Sequence, residues 1–391
     1  MMAGIRYLDE FYKEIQKSAT LRRRIVTALH DSKEIPERKI RRLEDSLTKL
    51  EGIPWRGKSH VLLSREGKKI DVDLGYEIEE LKRDILFLRS GEKALIDHLK
   101  KKNTNIEKDI LRVKKFLGSK KINSFITDRD GTVNNYCARY MSSVQSVYNA
   151  FFLSSFARDM ARKSVIMTSA PLEGIVKMST MPKRSFVYAG SKGREYLTRL
   201  GKTRGMALDK KGKKVLDSVT RALKRTLAKP DNNKFFFIGS GFQKKFGQIT
   251  IARQDVNDSV PRKESENFLT LVKEIVSEND PEGMLSIEDT GLDIEIILNH
   301  EHGAFTKGDG VDFLSRNMRL NLEDGNNLVC GDTSSDIPMA TKTAAFSKKT
   351  KVIFVTGDEK LKRKVSKELD NVCFVKNPDI LVTALYRLIE D

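Results

Sequence analysis

An apolar run that ends on two carboxylates constrains this chain more than any other stretch. Lys121-Ile-Asn-Ser-Phe-Ile-Thr-Asp128-Arg-Asp130-Gly131-Thr132 reads as a buried strand that delivers paired acids to its carboxyl end. In an open α/β sheet, chemistry collects just beyond the carboxyl ends of the strands, and alternation along an extended backbone points Asp128 and Asp130 the same way. Two carboxylates that close repel unless a cation or a proton lies between them. The motif therefore implies a divalent metal, an acid/base role, or both. Asp-x-Asp-Gly-Thr arises by chance in about one chain in 200 of this length, so the signal is specific.

The stretches that follow build a parallel sheet around it. A helical stretch over about 139–162 leads to a second apolar run, Ser164-Val-Ile-Met-Thr168, which makes a strand–helix–strand crossover with Thr168 at its end. A hydroxyl there can hold a phosphate oxygen or simply cap the next turn. Residues 185–189 form another strand entering Gly190-Ser-Lys-Gly193-Arg194-Glu195. Between 196 and 302 the pattern changes: helical stretches at 215–228 and 265–276 alternate with strand-like runs at 234–238, 248–252 and 292–298. This order predicts a second α/β domain inserted into the first, with Gly241-Phe-Gln243-Lys-Lys245 joining two strands. Lys307, beside glycines at a helix start, can neutralise a phosphate or solvate a surface. Asn326-Asn-Leu-Val-Cys330-Gly331-Asp332-Thr-Ser-Ser-Asp336 is again an apolar strand ending in acids. Strands at 351–356 and 371–375 close the sheet, and a final amphipathic helix at 379–389 covers one face. His300 and His302 fall in the expected hinge and read as solvated loop residues.

The first 120 residues differ. Apolar positions fall three and four apart at Leu8, Phe11 and Ile15; at Ile40, Leu43, Leu47 and Leu50; at Ile78, Leu81, Ile85 and Leu88; and at Ile106, Ile110, Val113 and Leu117. Such stripes bury themselves by packing on one another, which predicts an antiparallel helical bundle or coiled-coil hairpin. Breaks are expected at Pro36, across 52–75 and at Gly91. The segment reads as a folded appendage able to self-associate or meet a protein partner. The formal charge of +18 raises nucleic-acid binding. However, the basic residues interleave with acids at helical spacing and no basic stripe carries aromatics, so a solvated face is expected instead. No run approaches the length of a membrane span. Three widely spaced cysteines and a start without a secretory pattern point to a reducing, cytoplasmic setting.

Taken together, Asp128-x-Asp130-Gly-Thr, Thr168, Lys307 and Gly331-Asp332-x-x-x-Asp336 resemble the four motifs of the haloacid-dehalogenase-like (HAD) phosphatases. The chain is more specifically similar to trehalose-6-phosphate phosphatases of the nematode type. That resemblance rests on Gly190-Ser-x-Gly193-Arg-Glu195, Gly239-Ser-Gly-x-Gln243-x-Lys245, Lys307-Gly308 and Gly331-Asp-Thr-x-Ser-Asp-Ile-Pro-Met339, and on helices placed before the phosphatase. It departs from the pattern at Arg129, where relatives often have an aromatic residue, at Thr168-Ser-Ala, and at Gln243 in place of a glutamate.

The resemblance implies a Rossmann-like HAD core over 121–195 and 303–391, an α/β cap of the C2 type over 196–302, and a helical bundle over 1–120. It further implies that Asp128 attacks phosphorus, that Asp130 donates and then takes a proton, and that Thr168 and Lys307 steady the phosphoryl oxygens. Magnesium would be bound by Asp128, the Asp130 carbonyl and Asp332, with Asp336 bracing that shell or Lys307. Gly193, Arg194, Glu195, Gln243, Lys245 and Glu295 are the expected contacts to a phosphorylated disaccharide. Two alternatives stay open on the residues alone: a HAD phosphatase for another sugar phosphate or a phosphoglycerate, and a catalytically silent scaffold of the same fold.

Overall fold

The computed structural model describes every residue except 1–3, 58, 66, 68, 138, 199, 256–257, 300–304 and 390–391, so His300 and His302 lie outside the described residues. The chain opens with helices α1 (Leu8–His30) and α2 (Glu37–Glu51), then strands β1 (Trp55–Arg56), β2 (Ser59–Leu63) and β3 (Lys69–Val72), then α3 (Gly75–Lys100) and α4 (Ile106–Leu117). The three strands form a small antiparallel sheet where the sequence suggested only a break. Helix α3 bends at Gly91, whose φ of 76° leaves the helical region.

The central sheet begins with β4 (Ile122–Thr127), followed by α5 (Val147–Asp159), β5 (Ala161–Met167), α6 (Leu172–Met178), β6 (Val187–Gly190) and the short strands β7 (Glu195–Leu197) and β8 (Thr203–Gly205). The excursion that follows contains α7 (Lys210–Leu227), β9 (Phe242–Lys245), β10 (Gln248–Ala252), α8 (Arg262–Asn279), β11 (Leu285–Asp289) and β12 (Asp293–Leu298). The chain then returns through α9 (Lys307–Met318), β13 (Leu328–Gly331), α10 (Ile337–Phe346), β14 (Lys351–Val355), α11 (Glu359–Glu368), β15 (Val372–Val375) and α12 (Pro378–Arg387).

The eight central strands lie in the order β15-β14-β13-β4-β5-β6-β7-β8. Those from β15 to β6 are parallel, and β7 and β8 add an antiparallel edge. Strands β4, β5 and β6 progress to one side of β4, while β13, β14 and β15 progress to the other. The order therefore reverses between β4 and β13, and a doubly wound sheet leaves a crevice there. Period-two alternation fills both faces. Phe125, Ile166 and Leu328 join the apolar cluster on one side, while Ile126, Val165 and Val329 join the cluster under α9, α10 and α11 on the other.

The first of these clusters extends without interruption into the N-terminal helices. Phe87 of α3 meets Phe152 of α5 edge-on at 5.5 Å, and Phe152 stacks on Tyr386 of α12 at 4.1 Å. The N-terminal stripes thus pack on the central domain as well as on one another. The 210–298 excursion has its own cluster, with α7 and α8 on one face of an antiparallel sheet ordered β11-β12-β10-β9. Its other face is polar: Gln243, Thr250, Glu295 and Glu288 stand in register across it.

Three local expectations change. Residues 234–238 are not a strand: Asn233–Phe236 is a 3-10 turn, because Phe235 swings in to stack on Phe268 at 3.7 Å. Phe242–Lys245 is itself a strand rather than a connection. Helix α5 starts only at Val147, and the described residues of 128–146 form a long loop with a 3-10 turn at Tyr140–Ser142. Among the described residues no helix is long and apolar enough to cross a membrane, and Cys137, Cys330 and Cys373 are buried and free.

Candidate active site

Asp128 follows the last residue of β4 and Asp332 the last residue of β13, on either side of the point where the strand order reverses. Lys307 opens α9, whose start is fixed by a capping box between Thr306 and Asp309. Its ammonium, 3% exposed, lies 2.6 Å from Asp128 Oδ1 and 2.5 Å from Asp336 Oδ1. Asp336 is fully engaged: its Oδ2 accepts the backbone N–H groups of Asp332 at 3.0 Å and Thr333 at 2.9 Å, and the Thr333 hydroxyl at 3.1 Å. The Thr132 hydroxyl spans the crevice, 3.0 Å from Asp332 Oδ1 and 3.5 Å from Asp128 Oδ2.

Oxygen atoms of Asp128, Asp332 and Asp336 all lie within 4.8 Å of one another. Three carboxylates face one lysine, so with all three ionised the cluster would hold two uncompensated negative charges in a space largely shut off from water. Burial, and then repulsion from Asp336 and Asp130 against the pull of Lys307, lifts the Asp128 carboxyl to about 7. Burial and the neighbouring Asp128 lift Asp332 to about 8. Lys307 responds in the opposite sense: burial disfavours its charge, but the two carboxylates at its tip outweigh that and raise it. Burial also works against ionised Asp336, yet Lys307 and the backbone donors pull it below the ordinary carboxylate range. A divalent cation between Asp128 and Asp332 would cancel the excess charge, and both are hard oxygen donors of the kind magnesium takes. Gly131 makes the approach possible. Its φ is +86°, and a Cβ there would sit 2.2 Å from Asp332 Oδ2.

Asp130 is turned aside from this cluster. Its Oδ1 accepts from Ser143 Oγ at 2.7 Å, from Asn134 Nδ2 at 3.5 Å and from the buried Arg129 guanidinium, which also binds the Ser143 carbonyl. Asp130 lines a cavity of about 190 Å³ with Tyr136, Tyr140 and Ser143 on the central-domain side and Ser240, Gln254, Leu292 and Asp293 on the other. Thr168 follows the end of β5, buried, and its hydroxyl accepts from Ala170 N at 3.2 Å.

The six expected sugar contacts are placed apart from that cavity. Gly193, at φ +94°, lies against Gly310 of α9, where a Cβ would come within 2.8 Å of its Cα. Glu195 accepts from Ser191 Oγ at 2.7 Å and Leu172 N at 3.3 Å. Arg194 donates to the Phe246 carbonyl at 3.1 Å and lies over the Phe305 ring, tying the central domain to the β9–β10 turn. Gln243 donates to the Ser240 carbonyl at 2.9 Å, and Lys245 lies 4.0 Å from Glu295 on the polar sheet face. Burial lowers the Lys245 ammonium below its ordinary value. Sequence reasoning missed Ser240, Asp293 and Tyr136. Two signals were usable: Ser240 lies inside the Gly239-Ser-Gly element, and Asp293 opens a strand whose alternating pattern is visible.

Comparison with known proteins completes the picture. Residues 125–381 match the family described as trehalose-6-phosphate phosphatase, C-terminal, and residues 7–106 match that described as trehalose-6-phosphate phosphatase N-terminal helical bundle domain. An α,α-trehalose-phosphate synthase (UDP-forming) 1 of Caenorhabditis briggsae is 30% identical over 432 residues, covering 97% of this chain and 31% of that protein. A synthase 2 of Caenorhabditis elegans is 30% identical over 406 residues, covering 97% and 33%. The chain thus spans about a third of the length of these relatives. A trehalose-phosphatase of Brugia malayi is 27% identical over 428 residues, covering 99% of this chain and 87% of that protein. With the helical part and the acid-bearing part both matched, in that order, the chain belongs to the trehalose-6-phosphate phosphatase family.

Proposed function

We propose that this chain hydrolyses a phosphate monoester, trehalose 6-phosphate, through a phosphoryl group carried transiently on Asp128. The observation that carries this reading is the convergence of Asp128, Lys307, Asp332 and Asp336, from three separate stretches of sequence, on one crevice. Asp128 attacks phosphorus, forming the Asp128 O–P bond as the P–O bond to the sugar breaks, so that one hard displacement becomes two easier ones. Asp130 gives its proton to the departing sugar oxygen. It then takes a proton from the water that attacks the acyl phosphate, which frees inorganic phosphate and restores Asp128. Lys307 stays protonated throughout and offsets the charge that gathers on the phosphoryl oxygens. Thr168 offers those oxygens a hydroxyl from the neighbouring strand end. Asp128, Asp332 and the Asp130 backbone carbonyl would hold magnesium, while Asp336 keeps Lys307 and the 332–333 backbone in place. What magnesium supplies when bound is screening between an anionic nucleophile and an anionic phosphate.

The sugar assignment draws on the names of the relatives and on the cavity beside Asp130. A leaving group protonated by Asp130 has to occupy that cavity, where Ser240 and Asp293 offer hydrogen bonds to hydroxyls. Gln243, Lys245 and Glu295 act from the polar face of the 242–298 sheet, and Arg194 and Glu195 from the edge of the central sheet. The test is phosphate release from trehalose 6-phosphate, with and without magnesium, against a panel of sugar phosphates and phosphoglycerates. Fast release that needs magnesium and is lost in Asp128→Asn, with the fold retained, is expected. A strong preference for another ester removes the sugar assignment, and turnover by Asp128→Asn removes the nucleophile.

A further inference from the structure

The loop over 128–146 carries Asp130 and forms the central-domain wall of the cavity; its described residues hold a tight turn over Arg129–Asn134 and a 3-10 turn at Tyr140–Ser142, with irregular chain between them. Besides contacts to Pro171, Met178 and Asp379 of the central domain, it is held by the N-terminal region. The Tyr76 hydroxyl, on α3, donates to the Val144 carbonyl at 2.8 Å and accepts from Asn134 Nδ2 at 3.1 Å. One turn on, Glu80 accepts from Asn135 Nδ2 at 3.0 Å, and Asp84 accepts from the first backbone N–H of α5, that of Val147, at 2.6 Å. Just ahead of α3, the Asp71 carbonyl accepts from Arg139 at 3.3 Å. Three points along one stretch of the N-terminal region thus hold the loop, and a fourth, Asp84, holds the helix that follows it.

Inside the loop the grip reaches the carboxylate. Val144, held by Tyr76, is peptide-bonded to Ser143, whose hydroxyl orients Asp130 Oδ1 and whose carbonyl anchors Arg129. Asn134, the second partner of Tyr76, reaches both Ser143 Oγ at 3.4 Å and Asp130 Oδ1 at 3.5 Å. Every hydrogen bond to this carboxyl among the described residues falls on Oδ1, which leaves Oδ2 for the reaction. We infer that Tyr76, in the N-terminal helical bundle, is a positioning residue for Asp130: it fixes the Ser143–Val144 peptide and Asn134, and through them the direction of the carboxyl oxygen that moves protons. The inference rests on the proton-transfer role proposed for Asp130. Proton transfer demands close alignment with the leaving oxygen, so a loop free to drift loses rate without losing the nucleophile or the crevice.

The test compares two esters in the full chain. A sugar alkoxide cannot depart without a proton, whereas p-nitrophenolate can, and kcat/KM reports steps only through departure. Tyr76→Phe is expected to lower kcat/KM for trehalose 6-phosphate about tenfold or more while leaving that for p-nitrophenyl phosphate within about twofold; Asp130→Asn should discriminate in the same way, by about 10²- to 10⁴-fold. A thermal midpoint near that of the unaltered protein shows that Tyr76→Phe still folds. If Tyr76→Phe lowers both esters alike, or neither, while Asp130→Asn discriminates, the inference fails and the Asp130 role stands. If Asp130→Asn lowers both alike, the Asp130 role fails and takes the inference with it.

Discussion

Replacing Gly131 by alanine tests the crevice at its tightest point. The added Cβ would stand 2.2 Å from Asp332 Oδ2 and 2.9 Å from its Cγ, where ordinary contact begins at 3.4 Å. Relief requires Asp332 or the 130–132 backbone to move by about 1 Å, and a misplacement of that size at a reacting centre can cost about 10²-fold in rate. Thr132 resists the movement, since its hydroxyl ties Asp332 to Asp128. The backbone adds a separate cost, because a φ of +86° disfavours an L-residue by about 1–2 kcal/mol. Gly131→Ala is therefore expected to lose about 10²-fold in phosphate release, to need more magnesium for half-maximal rate, and to lose about 1–2 kcal/mol in urea unfolding. Gly131→Asn separates the two effects, since asparagine tolerates the left-handed region but still carries a Cβ: stability should largely return and activity should not. Full activity of Gly131→Ala at the usual magnesium concentration would refute the reasoning.

Lys307→Met leaves Asp128 and Asp336 buried without their cation, and should abolish phosphate release and cost about 3–5 kcal/mol in metal-free urea unfolding. Phe152→Ala removes a fully buried ring from the seam between α3, α5 and α12 and should cost about 3–5 kcal/mol, read as a shift in the urea midpoint. His30 lies 2.6 Å from Ser154 Oγ and 3.0 Å from Arg158, and burial, then Arg158, holds its pKa below 6.5. The folded state therefore binds this proton less well than the unfolded chain. Its contribution to stability should be full above pH 6.5 and fall away as pH drops through the folded value, a slope that His30→Gln should flatten in thermal midpoints taken from pH 5 to 7.5.

The parts of the site that a reader of the sequence can find are those in which local pattern and chemistry coincide. Strands β4 and β13 are apolar runs that end in acids, so their place in the sheet and their charge are visible together. The N-terminal helices show in the spacing of Phe11 and Ile15 or Leu43 and Leu50, but an apolar stripe states that it is covered and not by what. Hence Tyr76 reads as one more helix residue until Val144 and Asn134 are seen beside it. The Phe235-Phe-Phe-Ile238 run has no period that separates strand from turn, and only Phe268, over thirty residues away, decides it. Strands as short as β1 and β3 leave too few residues for alternation to register. The sugar-side wall is obscure for a related reason: Ser240, in a glycine-flanked turn, and Asp293, at the start of a strand, face Asp130 only through tertiary folding.

The apolar seam through Phe87, Phe152 and Tyr386 bears on how the protein can be divided. A protease cut or an expression boundary near residue 120 looks natural from the order of elements, yet it would strip the cover from α5 and α12 and bare contiguous aromatic surface. A fragment trimmed there should precipitate or recruit chaperones, while the same fragment supplied with residues 4–117 in trans should be rescued. The 210–298 excursion, with a cluster of its own, is the piece that exchange between relatives could replace whole.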